Sequence, residues 1–182
     1  MSATGAVPAA VPVSLHEARG WLRLGATADD AVVAGLVRAA TNICEAFIGQ
    51  WLIERAVEEV VPLGGGAIRL TVRPVVAVEA VTLLSADGGA SLLEPAGWRL
   101  AVGREGTGRL AIERPGAATQ ARIAYRAGMA ADANAIPEAI RQGIIRMTQH
   151  MHDARDDDGL APPAVIAALW QPWRRIGLGS GA

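Results

Sequence analysis

The period of the apolar residues changes twice along this chain, at Gly49 and again at Ile136. Before Gly49, Val33, Leu36, Val37, Ala40, Ile43, Cys44, Phe47 and Ile48 recur at helical spacing. After it, short apolar runs are punctuated by Gly64-Gly65-Gly66, Asp87-Gly88-Gly89, Gly103–Gly108 and Pro115-Gly116, which is the grammar of strands and turns. From Pro137 the helical spacing returns, with Ile140, Ile144, Met147 and Met151 on one stripe. Helices thus precede and follow a β region in the chain. The expected class is α+β, a helical bundle frame with an inserted small antiparallel β-sheet, sharing one combined core.

Local signals place the boundaries. Ser14-Leu15-His16-Glu17 reads as a capping box, in which the hydroxyl and the carboxylate satisfy each other's backbone amides. The first helix spans 14–24 and stops before Gly25. The second spans 28–48, with Thr27 as its cap and Asp29 and Asp30 in its first turn. Strands are expected over Leu52–Val61, Ile68–Val72, Val75–Leu84, Trp98–Val102, Arg109–Glu113 and Ala121–Arg126. Arg73-Pro74 marks an edge or corner, since proline cannot donate to a ladder. Pro137 opens a helix running to 153, because its missing amide costs nothing at a first position. Asp156-Asp157-Asp158-Gly159 reads as a solvated loop. A short helix, Ala164–Leu169, then leads into Trp170-Gln171-Pro172-Trp173-Arg174-Arg175.

Composition narrows the chemistry. The formal net charge of the 182 residues is -1, so no overall field draws in nucleic acid or an acidic membrane. All 17 basic residues are arginine, whose planar fork pairs bidentately with anions. A single cysteine, Cys44, excludes an intramolecular disulfide, and its place on an apolar stripe reads as a buried, inert thiol. No run of about 18 uninterrupted apolar residues is present, so no membrane partner is expected. The apolar leader MSATGAVPAAVPV lacks a basic region and reads as a flexible N-terminal arm over 1–13.

No catalytic or metal constellation stands out. His150 and His152 are two apart on a helix and point to nearly opposite sides, so they do not share an ion with Asp153. Asp156–Asp158 lacks the alternation and closing glutamate of a calcium loop. The glycine runs lack a phosphate-loop lysine, and Ser85 and Ser91 lack a nucleophile elbow. The expectation is no enzyme, no cofactor and no metal. Two features favour interaction surfaces instead. Trp170, Pro172, Trp173, Arg174 and Arg175 combine the residue types that dominate interfaces. Arginines in the strand region, among them Arg69, Arg104, Arg109, Arg122 and Arg126, have too few aromatics beside them for a stacking surface.

The order of these segments resembles the head–tail connector, or adaptor, family of long-tailed phages and gene transfer agents. The carrying motifs are LHEARGWLRL…DD at Leu15–Asp30, LVRAATNICEAFIG at Leu36–Gly49, LTVRPVVAVEAVTLL at Leu70–Leu84 and YRAGMA…IPEAIRQGIIRMTQHMHDAR from Tyr125 to Arg155. PPAVIAALWQPWRRIGLG is similar to the closing segment of gene-transfer-agent versions. The resemblance implies a connector domain over 14–160 and a C-terminal helix and docking tail over 161–182. It implies a ring, commonly of twelve subunits, under the portal protein in the particle neck, made in the bacterial cytoplasm. Such a ring joins capsid to tail and offers a platform for a stopper or tail-terminator protein. Packaged DNA passes through its channel without sequence-specific binding. In this setting Trp170, Pro172, Trp173, Arg174 and Arg175 are candidates for binding the portal or tail. Arg104, Arg109, Arg122 and Arg126 are candidates for facing the channel or a neighbouring subunit. Another neck or tail-completion protein, or a small enzyme, stays open as an alternative.

Overall fold

The computed structural model describes residues 3–4, 10–25, 30–153 and 161–175. The chain divides into two compact units rather than around one combined core. A helical unit contains Ala10–Ile53 and Ala130–Ala182, and a β unit contains Met1–Ala9 and Glu54–Met129.

In the helical unit the helices are α1 (Leu15–Leu22), α2 (Asp30–Ile48), α3 (Glu138–Asp153) and α4 (Ala164–Trp170). The capping box forms as read: Glu17 N donates to Ser14 Oγ at 3.2 Å and Ser14 N to Glu17 Oε2 at 2.8 Å. Helix α1 ends at Leu22, and its left-handed cap is Arg23 (φ 53°), two residues before Gly25. Thr27 and Asp29 lie outside the described residues. Gly49 (φ 68°) ends α2, where a left-handed residue is required and glycine adopts it without a Cβ penalty.

Helix α2 packs against α1, α3 and α4, and its pairing with α3 is the most extensive. Val33, Val37, Ala40, Cys44 and Ile48 of α2 meet Ile140, Ile144 and Met147 of α3, all at most 2% exposed. The buried hydroxyls of Thr41 and Thr148 donate to the carbonyls four residues earlier, at 2.8 and 2.9 Å, so neither is orphaned. By length and mean hydropathy α2 could cross a membrane, but six of its residues are buried within this unit and it serves as a core helix. Cys44 is fully buried, and burial pushes its thiol pKa up, which makes it inert. The chain leaves this unit at Ile53 and returns at Ala130, and these two residues form a parallel bridge. The β region is therefore an insertion between adjacent points.

In the β unit the strands are β1 (Ala3–Thr4), β2 (Arg55–Pro62), β3 (Ile68–Arg69), β4 (Val75–Ser85), β5 (Ala90–Leu92), β6 (Trp98–Val102), β7 (Gly108–Ile112) and β8 (Ala118–Ala127). They form two antiparallel sheets where one small sheet was expected, a five-stranded sheet in the order β1-β2-β8-β4-β5 and a three-stranded sheet in the order β3-β7-β6. Strand β8 is flanked on both sides, and it alternates accordingly: Ala121, Ile123, Tyr125 and Ala127 are buried, while Arg122 and Arg126 are exposed. Of the arm expected over 1–13, Ala3–Thr4 pairs with Glu58 and Glu59 of β2, and Val13 is fully buried in the helical unit. The other arm residues before Ala10 lie outside the described set.

The strand expected over Ile68–Val72 stops at Arg69: Leu70 N still donates to the Gly108 carbonyl of β7 at 3.0 Å, but the Thr71 and Val72 amides bind side chains instead. Glu59 lies on the buried face of β2 with Val57 and Val61, at 1% exposure. Its carboxylate accepts from Thr71 Oγ1 at 2.7 Å and from Thr71 N at 3.3 Å. The Tyr125 hydroxyl accepts from Val72 N at 3.1 Å, and burial raises that phenol to about 12. The segment ends at Pro74, which follows a cis peptide bond and closes against Gly106. A Cβ at Gly106 would stand 2.8 Å from Pro74 Cα, so only glycine fits there. Tyr125→Phe is expected to cost about 1–3 kcal/mol, because it leaves the Val72 amide without its acceptor. Urea unfolding checks this, and a loss under 0.5 kcal/mol would mean that water replaces the phenol.

Candidate interaction surfaces

In the helical unit the C-terminal segment folds back against α2 and α3. Trp170 is fully buried. Its Nε1 donates to the Ile140 carbonyl at 3.3 Å, and its ring meets Phe47 at 5.8 Å between centroids. The indole lies against Gly143, where any Cβ would overlap it. Beyond it, Gln50 Nε2 donates to the Trp173 carbonyl at 2.7 Å, and Arg175 N donates to the Ile48 carbonyl at 2.8 Å. The Arg174 guanidinium stacks over Phe47 at 5.1 Å. This corrects the reading of Trp170 as a docking group: its whole side chain is used inside its own unit. Pro172, Arg174 and Arg175 are exposed and Trp173 is half-buried, so these four present the outer surface of the segment.

In the same N-terminal stretch of α3, Arg141 pairs with Glu17 of the capping box and lies 3.9 Å from Glu138. The Glu17 carboxyl is held below its ordinary range, first by the Ser14 amide. The Ser14 hydroxyl and the Arg141 guanidinium act in the same direction, and burial opposes them. A depressed folded pKa gives stability that is present above the unfolded value and lost as pH falls through the folded one. Glu17→Gln should therefore be less stable than the parent at pH 7, and the gap should narrow as pH falls below about 4.3, the ordinary glutamate value. Thermal melts at pH 7 and pH 3 check this, and an equal gap at both would remove the ionised carboxylate from the account.

His152 Nδ1 lies 3.3 Å from Asp153 Oδ1. Among the described residues no three His, Cys, Asp or Glu side chains gather to hold a metal. The Asp156–Asp158 loop lies outside them.

In the β unit the candidate arginines fall into two kinds. Arg122 Nε is 3.5 Å from Glu58 and Arg126 is 3.3 Å from Glu54, so both are compensated by carboxylates of the same unit. Arg104, in the β6–β7 turn, and Arg109, on β7, are exposed and have no acidic partner among the described residues. Arg69 stands directly opposite Arg109.

No protein-family model matches this chain, and no curated protein does. Solved structures match over its full length. A chain in the neck of an empty gene transfer agent (GTA) particle, with C6 symmetry, aligns at a TM-score of 0.80 and 26% identity, covering 100% of this chain and 99% of that one. A chain in the virion of a native gene transfer agent particle aligns at 0.78 and 27%, with the same coverage. The chain resembles a gene transfer agent neck protein. A third match, in the neck of a native particle with C12 symmetry, has a TM-score of 0.73 at 24% identity over 100% and 99% of the two chains, and at that identity it speaks for the fold alone.

The segment from Trp170 to Arg175 has an inner and an outer half, and the sequence did not reveal the groups that receive the inner half. Gly143 was the available signal. A glycine inside a helix costs about 1 kcal/mol relative to alanine and usually has a packing reason. Gln50 and Phe47 carry no comparable mark.

Proposed function

We propose that this chain is a structural subunit of a particle neck, and more specifically a head–tail adaptor that forms a ring under the portal. The observation that carries the reading is end-to-end similarity, at 26–27% identity, to chains of gene transfer agent particles. The sixfold symmetry of a neck among the similar structures supports a ring of identical subunits. In this reading the helical unit is the frame of the subunit and the β unit is carried as an insertion. Particle DNA passes through the ring, a stopper or tail-terminator protein docks on its far side, and no catalysis is involved.

The outer half of the C-terminal segment is the proposed portal or tail contact. Trp173 adds aromatic area, Arg174 and Arg175 add forked donors, and Pro172 limits the freedom that docking must remove. A chain ending at Trp170 keeps the buried indole and loses these groups. It is expected to remain folded by circular dichroism yet to leave heads without tails in a host that lacks the parent gene. Tailed, DNA-transferring particles at the parental level would overturn the docking assignment.

A further inference from the structure

The outer face of the three-stranded sheet is built against its own stability. On its inner side Leu110 is fully buried, with Trp98, Leu100 and Ile112 at least half-buried. Its outer side presents Arg69, Arg109 and Arg99. Arg99 is neutralised by Glu113 at 2.6 Å. Arg69 and Arg109 are cross-strand partners, so two like charges stand about 5 Å apart at their Cα atoms, an arrangement that destabilises a sheet. Neither has a carboxylate partner among the described residues. The next outward positions are Ala101, in register with Arg109, and Ala111, in register with Arg99. Their methyl groups leave the guanidinium heads open to a large surface.

We propose that this face docks the phosphodiester backbone of duplex nucleic acid, with Arg69 and Arg109 as its contacts. This rests on the neck reading, and adds which face meets the polyanion. The argument is one of charge complementarity. Two forked cations with no internal counter-ion match neighbouring phosphates. The face holds no exposed aromatic side chain, and its outward residues beside the arginines are alanines. It thus lacks the anchor that a protein partner uses and the stacking platform that a single strand uses. Duplex backbone needs neither, and its binding is independent of sequence. Two contacts per subunit bind weakly, and copies in a ring multiply them.

The test is a nitrogen-15 NMR titration of the full chain with a 12-base-pair duplex, an added length of about one helical turn, at low salt. Amide and guanidinium signals of Arg69 and Arg109 are expected to move, and affinity should fall with rising salt. R69Q/R109Q should reduce the slope of log affinity against log salt by about 2, since each phosphate contact contributes about 0.9. R122Q/R126Q should leave the titration as in the parent. An unmoved Arg69–Arg109 face overturns the proposal, and so does a response of that face to poly-glutamate but not to the duplex, which would mark a protein carboxylate as its partner. R69Q/R109Q is also expected to enter particle necks at the parental level. Necks that contain this chain while the duplex leaves the face unmoved would sink this proposal alone, whereas necks without this chain would sink the reading beneath it.

Discussion

Trp170→Ala is expected to destabilise the helical unit by about 3–5 kcal/mol, the range for emptying a fully buried tryptophan site. Three contributions converge there. The indole is the largest fully buried side chain among the described residues. Its removal leaves a cavity beside Phe47 and frees the Ile140 carbonyl of a side-chain donor. The residues around the vacancy lie on α2 and α3, which hold each other along their length and so have little room to collapse. Urea unfolding followed by helical circular dichroism checks the figure. A loss under 1 kcal/mol would mean that the C-terminal segment is a loosely held docking tail after all.

Gly143→Ala carries the second large effect, and its sign is diagnostic. In an exposed helix interior this substitution stabilises by about 1 kcal/mol. Here the new methyl would overlap the Trp170 ring, so the indole has to move out of a packed site. Overpacking of this kind costs about 1–3 kcal/mol and outweighs the gain in propensity. The substitution should therefore destabilise the parent but stabilise the Trp170→Ala variant, where the methyl enters empty space. A double-mutant cycle reads this reversal directly. The same sign in both backgrounds would show that Gly143 and Trp170 do not share a site.

Local chemistry was legible where one short stretch decides the outcome. Ser14 and Glu17 form their box because both partners lie within one turn. Trp98–Val102 forms a strand at the residues read, bounded by Gly97 and Gly103. The apolar stripes of α2 and α3 predicted which faces meet. What failed depends on distant partners. Strand β5, Ala90–Leu92, is exposed at every position and has no alternation to reveal it. Glu59 stands in a run of alternating valines and looks outward by its charge, yet Thr71 satisfies it inside. Trp170 belongs to a segment whose composition is that of an interface, and only its receiving site at Gly143 and Ile140 shows that the ring is used internally.

The paired arginines show the same limit. Arg109 looked no different from Arg122 and Arg126 in the sequence. The register makes the difference: Glu54 and Glu58 lie beside the latter two, while Arg69 lies opposite the first. Charge counted along a chain does not tell which cations are compensated in the fold.

Electron microscopy of particles from the host that encodes this chain tests the central claim most directly. The account predicts repeated density for both units in a closed ring at the neck, stacked on the portal, with the C-terminal segment at the contact. Complete necks built without this chain, in particles that still transfer DNA, would contradict it.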